Sequence, residues 1–294
     1  MAELVPNELL TYGDASAVQD VYPLIEILTA TENYLLNNLG KTTAINTIHQ
    51  TQTDTLRTTS SAAVAEESDY TSLARTTPTL LTNLVEIVAI PFAVSRTQQQ
   101  IQHFSGENEL TRQTTKALKE WANAAEFDLI RSTLTSGISG ATPKMAGLIQ
   151  AVSKANNHTS HTSGTAFAAS ILKSLMKNVV DNGNGETVTD LFMGSYQKTV
   201  FDGFTAGQTK YWPAAFGTLT DAVSVYDSGA FGLVKAHYHR YVQQSTDSTG
   251  RVVAINMDKL KVAFLQRPFI DTGLARSGDY DKPKLSSLRE TVSV

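Results

Sequence analysis

The chain has no cysteine. That absence excludes disulfides, thiolate-bound metals and cysteine nucleophiles in one step, and makes an intracellular origin the simpler expectation. Charge is sparse as well: Asp, Glu, Lys and Arg make up 18% of residues, the formal net charge is −4 and the isoelectric point lies near 5.9. No global basic field is available to grip phosphates, which leaves nucleic-acid binding to a local patch at most. Long hydrophobic runs are missing. The longest, Leu84 to Val94 ("LVEIVAIPFAV"), is broken by Glu86 and Pro91. It reaches about half of the roughly 20 residues that cross a bilayer, so no transmembrane segment is expected. The opening "MAELVPNELLTYGD" has no basic start, apolar stretch or small-residue cleavage site, and export by a secretory signal is not expected. Catalytic signatures are lacking too: there is no G-x-S-x-G elbow, no S-x-x-K accompanied by its partner motifs and no H-E-x-x-H. No reaction is indicated, and neither a catalytic residue nor a cofactor is expected.

What remains is a chain of 294 residues with 41% hydrophobic composition, enough for a substantial core in one large domain or two smaller ones. Residues 1–43 read as an irregular arm with one or two short helical pieces ended by Gly40. From Thr42 to Thr77 the composition turns to Thr, Ser, Gln and Ala, which cannot build a core of its own. Threonine favours extended backbone. The flanks "TAINTIHQTQTDTLR" and "PTLLTNLVEIVAIPFAVSRTQQQI" therefore predict two long strands around a polar excursion. Such a hairpin must lean on something outside itself, because an isolated two-stranded ribbon is marginal in water.

The clearest helix is "SGENELTRQTTKALKEWANAAEFDLIRSTLTSG", with Ser105 as N-cap, Glu107 and Glu109 in the first turn, Arg131 late and Gly137 as the stop. Leu110, Ala117, Leu118, Trp121, Ala124, Ala125 and Leu129 gather on one face, and Trp121 is read as its core anchor. Phe127, Ile130 and Leu134 form a second apolar patch. About 30 residues give a rod on the order of 45 Å long, and two apolar sides imply contact both with its own core and with other material. A glycine-punctuated loop region and a shorter helix, "AFAASILKSLMKNVVDNG", follow. Then come a strand or short helix at "TVTDLFMGSYQKTVFDGF" and strand-like alternation through "DAVSVYDSGAFGLVKAHYHRYV", "RVVAINMDKLKVAFLQRPF" and "KLSSLRETVSV". The fold class is α+β.

The local motifs favour ordinary structural readings. "GKTT" at Gly40–Thr43 ends like a P-loop, but Leu35 stands where the first glycine belongs, so a helix ending at glycine is expected. "DNGNGE" has calcium-loop flavour, yet Phe192 falls at the closing carboxylate position; a turn is expected. His158 and His161 in "NHTSH" read as a solvated loop. The sharpest candidate is His237 and His239 in "FGLVKAHYHRYV". On a strand they share one face roughly 6.6 Å apart, a spacing that suits one metal ion. Zinc needs a third protein ligand, and none is paired with them in sequence. The structural alternative is a half-buried strand. Val234, Ala236, Tyr238, Arg240 and Val242 then share the face packed inward, with Arg240 near the strand's end where its head reaches water, while Lys235, His237, His239 and Tyr241 share the other. His237 and His239 turn to water or a neighbouring chain, where two protonated imidazoles would repel and weaken a contact.

The order of the parts carries a resemblance. An arm, a long polar hairpin, one long amphipathic helix, a compact helix-and-strand section and returning strands resemble the major capsid proteins of tailed bacteriophages with the Hong Kong 97 fold. The final third is similar to one group of phage head proteins in "VYDSGAFGLVKAHYHRYV", "NMDKLKVAFLQRP", "LARSGD" and the closing "LSSLRETV". The resemblance implies an N-arm (1–43), an extended loop (44–99), a peripheral domain with the spine helix (100–164), an axial domain (165–222) and strands returning to both (223–294). It further implies self-assembly into hexamers and pentamers of an icosahedral shell around double-stranded DNA held without sequence specificity, with portal, scaffolding and decoration proteins as partners. Virion localisation after synthesis in the host cytoplasm, with no membrane, belongs to the same expectation. Any scaffold would be a separate protein, since the chain begins close to the arm. Arg57, Glu66, Glu67, Asp69 and Arg75 on the hairpin, and His237 and His239, are the candidate subunit contacts, against the alternative of a solvated loop. The rival functions are a metal-dependent hydrolase using His237 and His239, or a smaller ring-forming virion protein.

Overall fold

The computed structural model describes residues 33–57, 60–67, 69, 75–101, 108–154, 166–182, 187–205, 225–227, 229, 232–243, 250–271, 280–281 and 284–293. The arm's helical pieces before residue 33, Ser105 and Glu107 at the helix start, the histidine loop at 157–161, Gly183–Glu186 of the predicted turn and the "LARSGD" segment lie outside these residues.

In chain order the elements begin with α1 (Tyr34–Asn38) and β1 (Gly40–Thr43), followed by β2 (Ile48–Thr53), β3 (Thr79–Leu84), β4 (Glu86–Pro91) and β5 (Val94–Ser95). Helices α2 (Arg96–Gln100), α3 (Glu109–Arg131), α4 (Leu148–Lys154) and α5 (Ala169–Asn182) come next, then β6 (Asp190–Met193) and α6 (Ser195–Asp202). The chain closes with β7 (Val225–Asp227), β8 (Leu233–Tyr238), β9 (Val252–Ile255), β10 (Lys261–Phe264), β11 (Phe269–Asp271), β12 (Tyr280–Asp281) and β13 (Lys284–Ser293). The result is a mixed helix-and-sheet fold with two main sheets. One runs β1-β10-β13-β11, with β4 on the other side of β13; the second runs β7-β8-β6-β9.

Strand β6, "DLFM", explains how the second sheet is used. All four of its residues are buried, which requires cover on both faces. Side chains alternate along a strand. Phe192 accordingly joins the main core with Leu35, Leu36, Val88, Trp121, Ala125, Leu129, Ile130 and Val253, while Leu191 and Met193 join a second core with Leu172 and Met176 of α5, Phe201 of α6 and Val234 and Ala236 of β8. The segment read as strand or short helix is both, β6 and then α6.

Helix α3 keeps the predicted stripe in its middle and end. Ala117, Trp121, Ala125 and Leu129 are buried, and so is Ile130 of the second patch, but Leu118 is 43% exposed. Its boundaries are tighter than expected. Asn108 is the N-cap, its side chain accepting from the Leu110 amide, Glu109 is the first-turn acid and Arg131 the last-turn base. At 23 residues the rod is about 35 Å long; the chain leaves it at Ser132, before Gly137 is reached.

Three further expectations are corrected. "GKTT" is strand β1, parallel to β10, so Gly40 opens a strand and Leu39 caps the preceding helix. The long second strand of the hairpin is four elements: β3 pairs with β2, β4 crosses to β13, β5 pairs with β12, and "RTQQQ" is helix α2, N-capped by Ser95. Strand β8 stops at Tyr238, which ends the alternation that placed His239 at the surface. His239 is 1% exposed, Tyr241 is buried, and Tyr238, assigned inward, is 49% exposed.

Candidate functional site

Two features of the subunit concern how it holds and presents itself: a buried polar junction, and a ribbon that stands clear of the core. The junction is built around Glu126, wholly buried on α3. Its Oε1 accepts from the Leu35 amide at 2.6 Å and from His239 Nε2 at 3.0 Å, and its Oε2 accepts from the Leu36 amide at 2.9 Å. All three partners are donors, so the acceptor-only carboxylate is the form that fits. The amides belong to the first turn of α1, which no side chain of its own caps; Glu126 supplies that cap from 91 residues away. The tautomer of His239 follows. Its Nδ1 accepts from the Tyr241 amide at 3.3 Å, so the ring hydrogen sits on Nε2 and points at Glu126.

A second clasp lies beside the first. His237 Nε2 is 2.8 Å from Asp190 Oδ1 and 3.2 Å from the Tyr34 hydroxyl. The His237 ring stacks on Phe192 at 5.2 Å between centroids and lies 4.7 Å from the Tyr34 ring. Thr189 donates to the other Asp190 oxygen at 2.6 Å. Burial first, and then the charge of Asp190, raise the Tyr34 hydroxyl above its ordinary pKa of 10.0. The two histidines thus face different carboxylates, and among the described residues no group of three or more His, Cys, Asp or Glu side chains could hold a metal ion. His239 is a buried strut within the subunit, correcting its assignment to a subunit contact. His237 is half-buried, its side chain 23% exposed. Trp121 is 7% exposed in the main core.

The ribbon β2–β3 pairs Ile48 with Leu84 through Thr53 with Thr79. Polar side chains knit it across: Thr53 to Thr79 at 3.0 Å, Gln50 to Thr82 at 3.4 Å, and Thr76 back to the Thr55 carbonyl. Every described residue from 54 to 82 is exposed. Arg57, Glu66, Glu67, Asp69 and Arg75 all lie in this stretch; Arg57 donates to Ser60 at 3.0 Å, and Glu67 has a left-handed φ of 64°. Large apolar residues are exposed with them: Ile45 at 95%, Leu56 at 92%, Leu80 at 60% and Ile48 at 48%. At the ribbon's base Asn83 and Glu86 are buried and bonded to the loop after α3.

Glu126, Asp190, Asn83 and Glu86 escape sequence reasoning. Each had a faint signal, an acid or amide inside an apolar run ("AAEFDLI", "TDLFM", "TNLVEIVAI") where a surface residue is out of place.

The fold is a mixed helix-and-sheet one with a buried polar junction and an exposed ribbon. Solved structures share it. A chain of Gordonia phage Cozz matches with a TM-score of 0.60 at 12% identity, over 98% of this chain and 92% of its own. One from Mycobacterium phage Adephagia matches with a TM-score of 0.61 at 13% identity, over 96% and 90%. A chain of the capsid of a native GTA particle matches with a TM-score of 0.63 at 11% identity, over 95% and 91%. None of the curated proteins matches the sequence. The family profile of the SU10 major capsid protein matches residues 7–287, and the chain belongs to that family: it is a phage major capsid protein, a component of the head shell.

Proposed function

We propose that the chain is a Hong Kong 97-type subunit that closes an icosahedral head from hexamers and pentamers, each ribbon lying across a neighbouring subunit. In this reading residues 1–43 are the N-arm, 44–99 the extended loop, 100–164 the peripheral domain around α3, 165–222 the axial domain, and 223–294 the strands returning to both. The observation that carries it is that every described residue from 54 to 82 is exposed, with Leu56 and Leu80 among them. Burying such side chains contributes roughly 1.5–3 kcal/mol each, which an isolated subunit forgoes and a neighbour's surface supplies. Arg57, Glu66, Glu67, Asp69 and Arg75 set register and orientation more than affinity, because exposed ion pairs contribute little. Heterologous contacts of this kind close rings when the rotation fits.

The shell confines double-stranded DNA without reading its sequence, and portal, scaffolding and decoration proteins are its further partners. The subunit is made in the host cytoplasm, acts in the virion, and carries out no catalysis. The test is assembly of an Ile48→Ser/Leu80→Ser variant, followed by sedimentation and negative-stain microscopy. Both positions are exposed, so the subunit's own stability should move by no more than about 0.5 kcal/mol while shell yield falls severely; normal shells would refute the ribbon's role.

A further inference from the structure

The ribbon reaches the body through two short necks, and apolar packing there is slight. Ala44, Val85 and Ala263 form the buried cluster at its base, with Leu265 packed against it, and the Val85 amide donates to the Thr47 carbonyl at 2.8 Å. Small apolar contacts of this kind are non-directional. The directional contacts are polar. Asn83 Oδ1 accepts from the Ala146 amide at 2.8 Å while its Nδ2 donates to the Ala146 carbonyl at 3.2 Å. This two-bond pairing copies a rung of a β-ladder and allows one orientation of the amide. Three residues on, Glu86 Oε2 accepts from the Met145 amide at 3.1 Å and from Ser132 Oγ at 3.2 Å.

In a continuous strand, residues three apart point to opposite faces. Asn83 and Glu86 reach the same loop because the chain turns between two sheets at Val85, leaving β2 as partner and taking up β13. The break in the strand and the polar clamp are therefore one feature. The loop they grip is stiff. Thr135 and Lys144 exchange both backbone hydrogen bonds at 3.1 and 3.0 Å, and the Gly147 amide donates to the Ser132 carbonyl at 2.7 Å. Gly147 itself packs so close to the end of α3 that a Cβ there would meet the Ser132 amide nitrogen at 2.8 Å and the Asp128 carbonyl at 2.9 Å.

We propose that Asn83 and Glu86 are the positioning residues of the ribbon: by bonding it to the loop after α3 they set the direction in which it leaves the subunit, and through it the curvature at which neighbours close. The second half of that statement rests on the ribbon lying across a neighbour; the first does not. Curvature is sensitive to this angle because a heterologous contact closes only when its rotation is right.

The test uses the full chain with Asn83→Ala and Glu86→Ala, and with Asn83→Asp and Glu86→Gln as conservative variants that keep an acceptor oxygen should the alanine forms not fold. In the unassembled subunit, hydrogen exchange at the Met145 and Ala146 amides and proteolysis within residues 54–78 should quicken about tenfold or more in the alanine variants, and less in the conservative ones. In assembled material, particle diameters should broaden or shift. Uniform shells of the parent diameter from a variant whose Ala146 amide has lost protection would overturn the proposal, since a merely structural clamp lowers stability without changing diameter. Unchanged exchange and proteolysis would overturn it at the subunit level. Normal shells from the Ile48→Ser/Leu80→Ser variant, by contrast, overturn the ribbon's contact with a neighbour and with it the curvature half, while the exchange data still judge the clamp.

Discussion

Replacing Glu126 by alanine should be among the most damaging single changes in the subunit. The carboxylate is fully buried and is the acceptor for the Leu35 amide, the Leu36 amide and His239 Nε2. Each buried donor left unsatisfied costs about 1–3 kcal/mol, and hydrogen bonds to a charged group are the stronger kind. All three bonds end on one group, so their losses are not additive, and about 3–5 kcal/mol is expected for the whole. A chain of 294 residues unfolds with an entropy on the order of 0.6 kcal/mol per kelvin, which turns that loss into a melting shift of roughly 5–8 °C. Glu126→Gln keeps one acceptor oxygen but aims an amide donor where another acceptor is needed, and should lose roughly half as much. Thermal melting of the unassembled subunit measures the total, and hydrogen exchange at Leu35 and Leu36 separates release of α1 from loss of the core. An alanine variant that melts within about 1 °C of the parent, with those two amides exchanging no faster, would refute the role assigned to the carboxylate.

Trp121→Ala should cost about 3–5 kcal/mol, because a large side chain 7% exposed in the main core leaves a cavity that α3 cannot close; chemical denaturation measures it. Gly147→Ala forces a methyl group against backbone of the α3 terminus and should cost roughly 1–3 kcal/mol, seen as a lower melting point of a subunit that still folds. Tyr34 gives a pH prediction at the alkaline end. Its folded pKa is raised above 10.0, so its contribution is intact below the ordinary tyrosine value and is lost as pH rises through the folded one. The parent should lose stability more steeply above about pH 10 than Tyr34→Phe does, in melts taken across that range; parallel curves would count against the burial argument.

Much of this subunit is written locally. Threonine-rich extended flanks dictate a ribbon that no core of its own supports, and Trp121 with its helical neighbours dictates an amphipathic α3. The order of the segments carries the family resemblance before any coordinates are known. The lack of cysteine excludes thiol chemistry from the sequence alone.

Tertiary structure decided the rest, through partners distant in sequence. Alternation describes a strand only while it lasts; β8 ends at Tyr238, and His239, one residue further, turns to a carboxylate 113 residues away. Composition likewise cannot say whether Glu86 interrupts an apolar run at the surface or inside, because that depends on whether a loop near residue 145 arrives to satisfy it. Apolar periodicity is local and can be counted along the chain, whereas the burial of a single polar group is permitted only by donors or acceptors that folding brings to it. The elements are therefore a property of this sequence, and the buried carboxylates that tie α1 and the ribbon to α3 and the loop after it are a property of its fold.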